Sequence, residues 1–295
     1  MAVPFAGEAL ALASALFYAT GSVAIAKGAR TRTDGGGAAL LSVIFTGAMA
    51  GGLWLAIGPP LPAPGPHVWQ SLGFFVLAGV LANLVGRALM YRSVALAGAI
   101  ETGVLRRLIP VFAAALAILL LDERVTPSVA LGFVLILAGV AITVLRRGLP
   151  GGGGPERSLG RGLAVASAAG FGAAFVARKA GLAAVPDPLL GTFVGAVTGA
   201  LAYAPVLLRP GRGRAPGFVC RWQVVAAGMI SLGQIALFFA LSFTTVTAVA
   251  VIGACEMFFS AWLAAFLMRT EPWPGPTFVL ASALALAGTA AIAFA

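Results

Sequence analysis

Charge is what this chain has least of. Only 9% of its 295 residues are Asp, Glu, Lys or Arg, whereas a soluble domain carries about 25%. So few charges cannot clothe a water-facing surface, and with 60% of residues hydrophobic the natural solvent is lipid. Histidine is nearly absent: His67 stands alone in the Pro-rich connection "GPPLPAPGPHVW", where a solvated loop residue is expected. Without a second histidine or any cluster at metal-ligand spacing, neither a metal centre nor a histidine-based catalytic pair is expected. No Gly-rich loop leads into Lys and Ser or Thr, which removes the ATP-binding loop. The two cysteines, Cys220 and Cys255, fall in different contexts and read as small hydrophobes rather than a disulfide framework. No cofactor is expected.

Strand-like alternation is also missing, and the apolar runs are too long for barrel strands. In lipid the backbone must then satisfy itself as helices. A hydrocarbon core about 30 Å thick takes roughly 20 residues per helix. Charge, Pro and Gly cut the chain into ten such runs, near 4–26, 37–57, 68–91, 98–121, 126–145, 160–180, 188–208, 222–243, 246–268 and 274–295. The first run has no basic flank and holds Glu8, so it is read as a helix and not as a signal peptide. Pro110 and Pro205 lie inside runs; Pro110 is expected to kink the fourth helix, and the matching Phe258 is not expected to kink the ninth.

The formal net charge is +10, yet the basic residues sit between apolar runs, so topology accounts for them better than nucleic acid does. Lys27, Arg30, Arg32, Arg92, Arg146, Arg147, Arg157, Arg161, Arg209, Arg212, Arg214, Arg221 and Arg269 follow the odd-numbered helices. Only Arg124, Arg178 and Lys179 fall in even-numbered connections. The odd connections are therefore expected in the cytoplasm, with both termini outside.

"GLPGGGGPERSLG", from Gly148, reads as a flexible linker. It divides a first five-helix unit, 1–147, from a second, 160–295, with 148–159 between them. The units resemble each other. "LALASALFYATGSVAIAKGA" at Leu10 matches "LAVASAAGFGAAFVARKAG" at Leu163, and the run from Ala88 parallels the run from Ala236, with Glu123 on Glu271. An odd number of helices per copy forces the second copy to insert upside down, the plan of many secondary transporters. Ten helices in two such halves, each opening on a Ser-x-x-x-aromatic helix, resemble the drug/metabolite transporter superfamily. "LLLDER" after "PVFAAALAILL", followed by the "LILAG" helix, is similar to its EamA-type exporters, whereas "MRTEPW" keeps the acid and loses the following Arg. The resemblance covers almost the whole chain and implies an all-α polytopic membrane protein of ten transmembrane helices in two inverted repeats. It also implies a non-enzymatic exporter in a bacterial cytoplasmic membrane, in the amino-acid branch that includes aromatic amino-acid exporters, with aromatic or other apolar amino acids as the expected substrates.

Residues four apart share a helix face, and three stripes stand out. Ser14, Tyr18 and Ser22 line the first helix, matched by Ser167, Phe171 and Phe175 in the sixth; Asn83, Arg87 and Tyr91 line the third; Ser231, Gln234 and Phe238 line the eighth. Lone hydroxyls in membrane helices often only bond a neighbouring helix. The fifth and tenth helices carry almost nothing polar at their centres and read as lipid-facing or scaffold. Charge at mid-membrane is costly and faces a cavity or a partner. Glu256 lies about 15 Å into the ninth helix and Arg106 and Arg107 about 12 Å into the fourth; one arginine is expected on the pathway and the other at the headgroups. Glu101 reads as interfacial and outside the site.

An exported amino acid needs a cation for its carboxylate, an acid for its ammonium and a surface for its side chain. Arg87 or Arg106, then Glu256, then Tyr18, Phe171, Phe238 and Trp262 fill these roles, with Ser22, Asn83, Tyr91 and Gln234 on the same stripes. The alternatives are efflux of cationic drugs or other metabolites, the drugs disfavoured because "SALFYATGS" lacks the central acid of related small multidrug transporters, a channel or receptor-like binding protein, against which the inverted repeats argue, and a membrane enzyme. For the latter, Glu123 and Arg124 imitate a catalytic pair but read better as charges fixing two helix ends. The expected partners are a small-molecule substrate and the bilayer, with no nucleic acid; a monomer suffices.

Overall fold

The structure, a computed structural model, describes residues 5–31, 36–147, 154–207, 221–267 and 275–294. Arg32, residues 148–153 of the linker, Arg209, Arg212, Arg214, Cys220, Arg269 and Glu271 lie outside these. The described elements are helices: α1 (Ala6–Thr31), α2 (Gly36–Ile57), α3 (Pro66–Val80), α4 (Leu89–Ala97), α5 (Ala99–Leu105), α6 (Ile109–Leu121), α7 (Pro127–Arg147), α8 (Pro155–Ala184), α9 (Pro188–Leu207), α10 (Arg221–Phe243), α11 (Val246–Gly253), α12 (Glu256–Phe266) and α13 (Pro276–Ala293). A π-helical stretch, Leu81–Ala88, joins α3 to α4, and a 3-10 turn, Arg106–Leu108, joins α5 to α6. Seven helical stretches are long and apolar enough to cross a membrane, and three shorter apolar ones accompany them. This is a multi-pass membrane protein.

Five helices open on proline, at Pro66, Pro127, Pro155, Pro188 and Pro276. The missing N–H costs nothing there, because the first turn has no acceptor to bond. At α9 the Asp187 carboxylate accepts from the Leu189 and Leu190 amides, both at 3.0 Å, and from Trp54 Nε1 at 2.8 Å. One acid thus starts α9 and ties it to α2. The helix of residues 155–184 begins inside the stretch read as linker: Pro155 starts it, so residues 155–159 are helical.

The two parts of the chain interleave. α1 packs on α10, α2 on α9, α3, α4 and α6 on α8, and α7 on α13. Lipid tails are as apolar as leucine, so such contacts depend on close fit and hydrogen bonds rather than on expelling water. The α7–α13 pair shows the fit: a methyl added to Gly132 would lie 2.5 Å from the Gly288 carbonyl oxygen, so only glycine lets the backbones meet. Between the other helices, Phe75 and Phe238 are fully buried edge to face, with ring centroids 6.0 Å apart.

Polar contacts collect at two opposite ends. At one, Glu101 is buried and accepts from Arg157 at 2.6 Å and Arg161 at 2.9 Å, and the Lys27 ammonium sits 4.3 Å from the Trp222 ring centroid. Glu101 thus lies at an end of the molecule and outside the cavity lining, as read from the sequence, and its two arginine partners are what the sequence did not show. At the other end, Lys179 donates to the Leu241 carbonyl in the last turn of α10 at 2.6 Å and to the Thr244 carbonyl just past it at 2.9 Å, where a cation suits the helix dipole. Glu123 accepts from the Val246 and Thr247 amides at 2.6 and 3.1 Å, holding the N-terminus of α11. Glu8 accepts from Thr244 Oγ1 at 2.7 Å. Among the described residues, the ion contacts at the first end join residues beside the third and fifth connections, and the hydrogen bonds of Lys179 and Glu123 at the second join residues beside the fourth, sixth and eighth.

Candidate functional site

Two interrupted helices frame the centre. Pro110 lacks the N–H that would bond the Arg106 carbonyl, so that carbonyl accepts from Ile109 three residues on, and Arg106–Leu108 tightens into a 3-10 turn. The fourth run is thus interrupted at the proline expected to disturb it. The ninth run is interrupted as well: between α11 and α12 the amides of Ala254, Cys255, Met257 and Phe258 bond carbonyls three residues back. No proline causes this interruption, so a break in the helix is not confined to the run that carries Pro110. In register the breaks coincide, since the pairing of Ala88 with Ala236 sets Arg107 against Cys255 and Leu108 against Glu256.

A third irregularity lies in the π-helical stretch, which carries Asn83 and Arg87. Wider turns loosen the backbone ladder, and side chains complete it: Ser167 Oγ donates to the Gly86 carbonyl at 2.6 Å, and Asn83 Nδ2 to Gly79 at 2.9 Å. Such stretches recur at functional sites.

These irregular segments, with α1, α2, α8, α9 and α10, enclose a cavity of about 480 Å³, within the range of small-molecule sites. Tyr18, Ser22, Asn83, Arg87, Tyr91, Arg106, Phe171, Gln234, Phe238 and Glu256 all line it. Tyr18 Oη donates to Gln234 Oε1 at 2.5 Å, and Ser22 Oγ donates to Glu256 Oε1 at 3.1 Å. The Arg106 guanidinium lies 5.2 Å from the Phe171 ring centroid and within electrostatic range of Glu256 and Arg87.

Trp262 is not among the lining residues. Its indole donates to Ser282 Oγ at 3.2 Å and packs against Phe266 and Phe278. It lies six residues past Glu256, about 600° around the helix at roughly 100° per residue, and so on a different face. The division of Arg106 and Arg107 is also corrected, because both line the cavity. α7 and α13, the scaffold of the sequence reading, contribute no lining residue among the described residues. Cys255 is buried, against Thr289, as a small hydrophobe would be.

Sequence reasoning placed Arg178 in a connection. It is instead a buried cavity residue of α8, its guanidinium 5.6 Å from the Phe175 ring centroid and 5.5 Å from that of Phe238. The signal was available: Arg178 extends the Ser167, Phe171, Phe175 stripe by three residues, on a helix that continues to Ala184. Thr46, hydrogen-bonded to Ser231 at 2.9 Å, and Thr192 also line the cavity and were missed.

No curated protein sequence matches the chain. A solved crystal structure of a protein shares its fold at a TM-score of 0.73 and 20% identity, covering 98% of this chain and 96% of that one. At that identity the likeness concerns fold alone. Residues 5–145, just under half of the chain, match the model of the EamA-like transporter family, and over these residues the chain is similar to that family.

Proposed function

We propose that this protein exports small metabolites carrying a carboxylate, amino acids foremost, across the bacterial cytoplasmic membrane by alternating access. The observation that carries the reading is the pair of interrupted helices, α5–α6 and α11–α12, meeting one cavity at corresponding positions of the two halves. In secondary transporters, irregular backbone at matching points of inverted repeats marks the substrate site, around which the halves rock. On this reading the chain is ten spans in two inverted repeats, 1–147 and 160–295. Its odd connections are cytoplasmic by the positive-inside rule.

The cavity meets the three needs of an amino acid. Arg87 and Arg106 offer guanidinium groups for the carboxylate, Glu256 an anion for the ammonium, and Tyr18, Phe171 and Phe238 an aromatic wall. Cationic drugs fit it poorly, since arginines outnumber its one carboxylate among the described lining residues. Counterflow in proteoliposomes tests the reading. Trans-stimulated uptake of a labelled amino acid, abolished in Arg106→Ala protein that inserts normally, is the expected result. No exchange of any amino acid, alongside efflux of a cationic dye, would overturn it.

A further inference from the structure

Four guanidinium groups, those of Arg87, Arg106, Arg107 and Arg178, face the cavity, and Glu256 is the one carboxylate among its described lining residues. Counting only Arg87, Arg106 and Arg178 against Glu256, a zwitterionic amino acid brings no net charge and leaves two positive charges uncompensated in a low-dielectric space, which is costly. Something else must balance them.

The protein itself does not. Among the described residues no carboxylate lies within 4 Å of Arg87, Arg106 or Arg178. Two of these guanidinium groups rest instead on aromatic faces, Arg106 on Phe171 and Arg178 on Phe175 and Phe238. A ring face fixes a guanidinium in place without neutralising it and leaves its N–H edge for a planar anion. Arg87 Nη1 and Arg106 Nε are buried there and donate to nothing among the described residues. A buried charged donor without a partner is the exception in folded proteins and asks for a ligand. Phe171 and Phe175 are one helical turn apart on α8, about 6 Å along the axis, so the two ring-mounted cations are set at successive levels of the cavity.

We infer that the cavity selects small organic anions bearing two acidic groups, short dicarboxylates and acidic amino acids, over neutral amino acids. One acidic group meets Arg87 and Arg106 near the 3-10 turn, and the other meets Arg178. The inference rests on the cavity being the transport site and narrows the substrate class proposed for it.

Purified protein in detergent would be assayed for ligand-dependent thermal stabilisation with succinate, glutamate and phenylalanine, and the same three as counter-substrates in proteoliposomes. Succinate and glutamate should bind at least tenfold more tightly than phenylalanine. Arg178→Gln should reduce that preference about tenfold or more, with Arg178→Lys restoring part of it; Arg87→Gln, tested separately, should do the same. Equal or tighter binding of phenylalanine by the wild type overturns the inference and leaves amino-acid export standing. A preference unchanged in both glutamine variants overturns it as well. Tight succinate binding without exchange of any of the three supports the anion site and removes the transport reading.

Discussion

Ser22 Oγ donates to Glu256 Oε1 across 3.1 Å, joining α1 to the first residue of α12, where the ninth run resumes after its break. Glu256→Gln keeps an acceptor for Ser22 but deletes the charge. Exchange of amino acids should fall at least tenfold, while acids without an ammonium group are spared. Ser22→Ala removes only a hydrogen bond, about 1 kcal/mol or roughly fivefold. Initial rates for matched substrates with and without an amine separate the two effects.

Tyr18 and Gln234 form a second bond across the cavity. Tyr18→Phe leaves the Gln234 oxygen without its donor, which costs about 1–3 kcal/mol if that oxygen stays dry. The unfolding temperature in detergent should drop. In Tyr18→Phe with Gln234→Leu neither partner is left wanting, so part of the loss should return; an additive loss in the double variant would count against the contact.

Pro110→Ala supplies the N–H that the Arg106 carbonyl lacks, and the 3-10 turn should relax toward a continuous α-helix. Arg106 then rotates off Phe171. Transport should slow several-fold in protein whose thermal stability is equal to or above that of the wild type, a combination that separates a positioning defect from misfolding.

Gly132→Leu drives a side chain into the Gly288 carbonyl where α7 meets α13. Overpacking of this kind costs typically about 1–3 kcal/mol. Because neither helix lines the cavity, the half-saturation concentration of transport should stay at the wild-type value while the unfolding temperature falls.

Most of the cavity was legible in the sequence because helical periodicity is local. Tyr18 with Ser22, and Asn83 with Arg87 and Tyr91, share faces by spacing alone, and burial of a polar stripe in lipid directs it inward. What the sequence hid depends on through-space partners or on helix ends. Arg178 was missed because it was counted with the connection, as a charge near a helix end, although it lies inside the 160–180 run and six residues before the end of α8 at Ala184. The ion contacts of Glu101 were hidden because Arg157 and Arg161 lie 56 and 60 residues away in the chain. The break before Glu256 has no proline to announce it and shows only in its three-residue hydrogen bonds.

The interleaving of α1 with α10, α2 with α9, α3 with α8 and α7 with α13 has a consequence for how the molecule is assembled. Each helix of one half spends its packing face on the other half, so neither half owns a closed interior. The halves are two interlocking combs, and the peptide that joins them serves to keep their numbers equal. Severed at Gly151 and supplied as two chains, they should reconstitute one protein, whereas either comb alone would present its polar teeth, Arg87 and Arg106 or Glu256 and Arg178, to lipid.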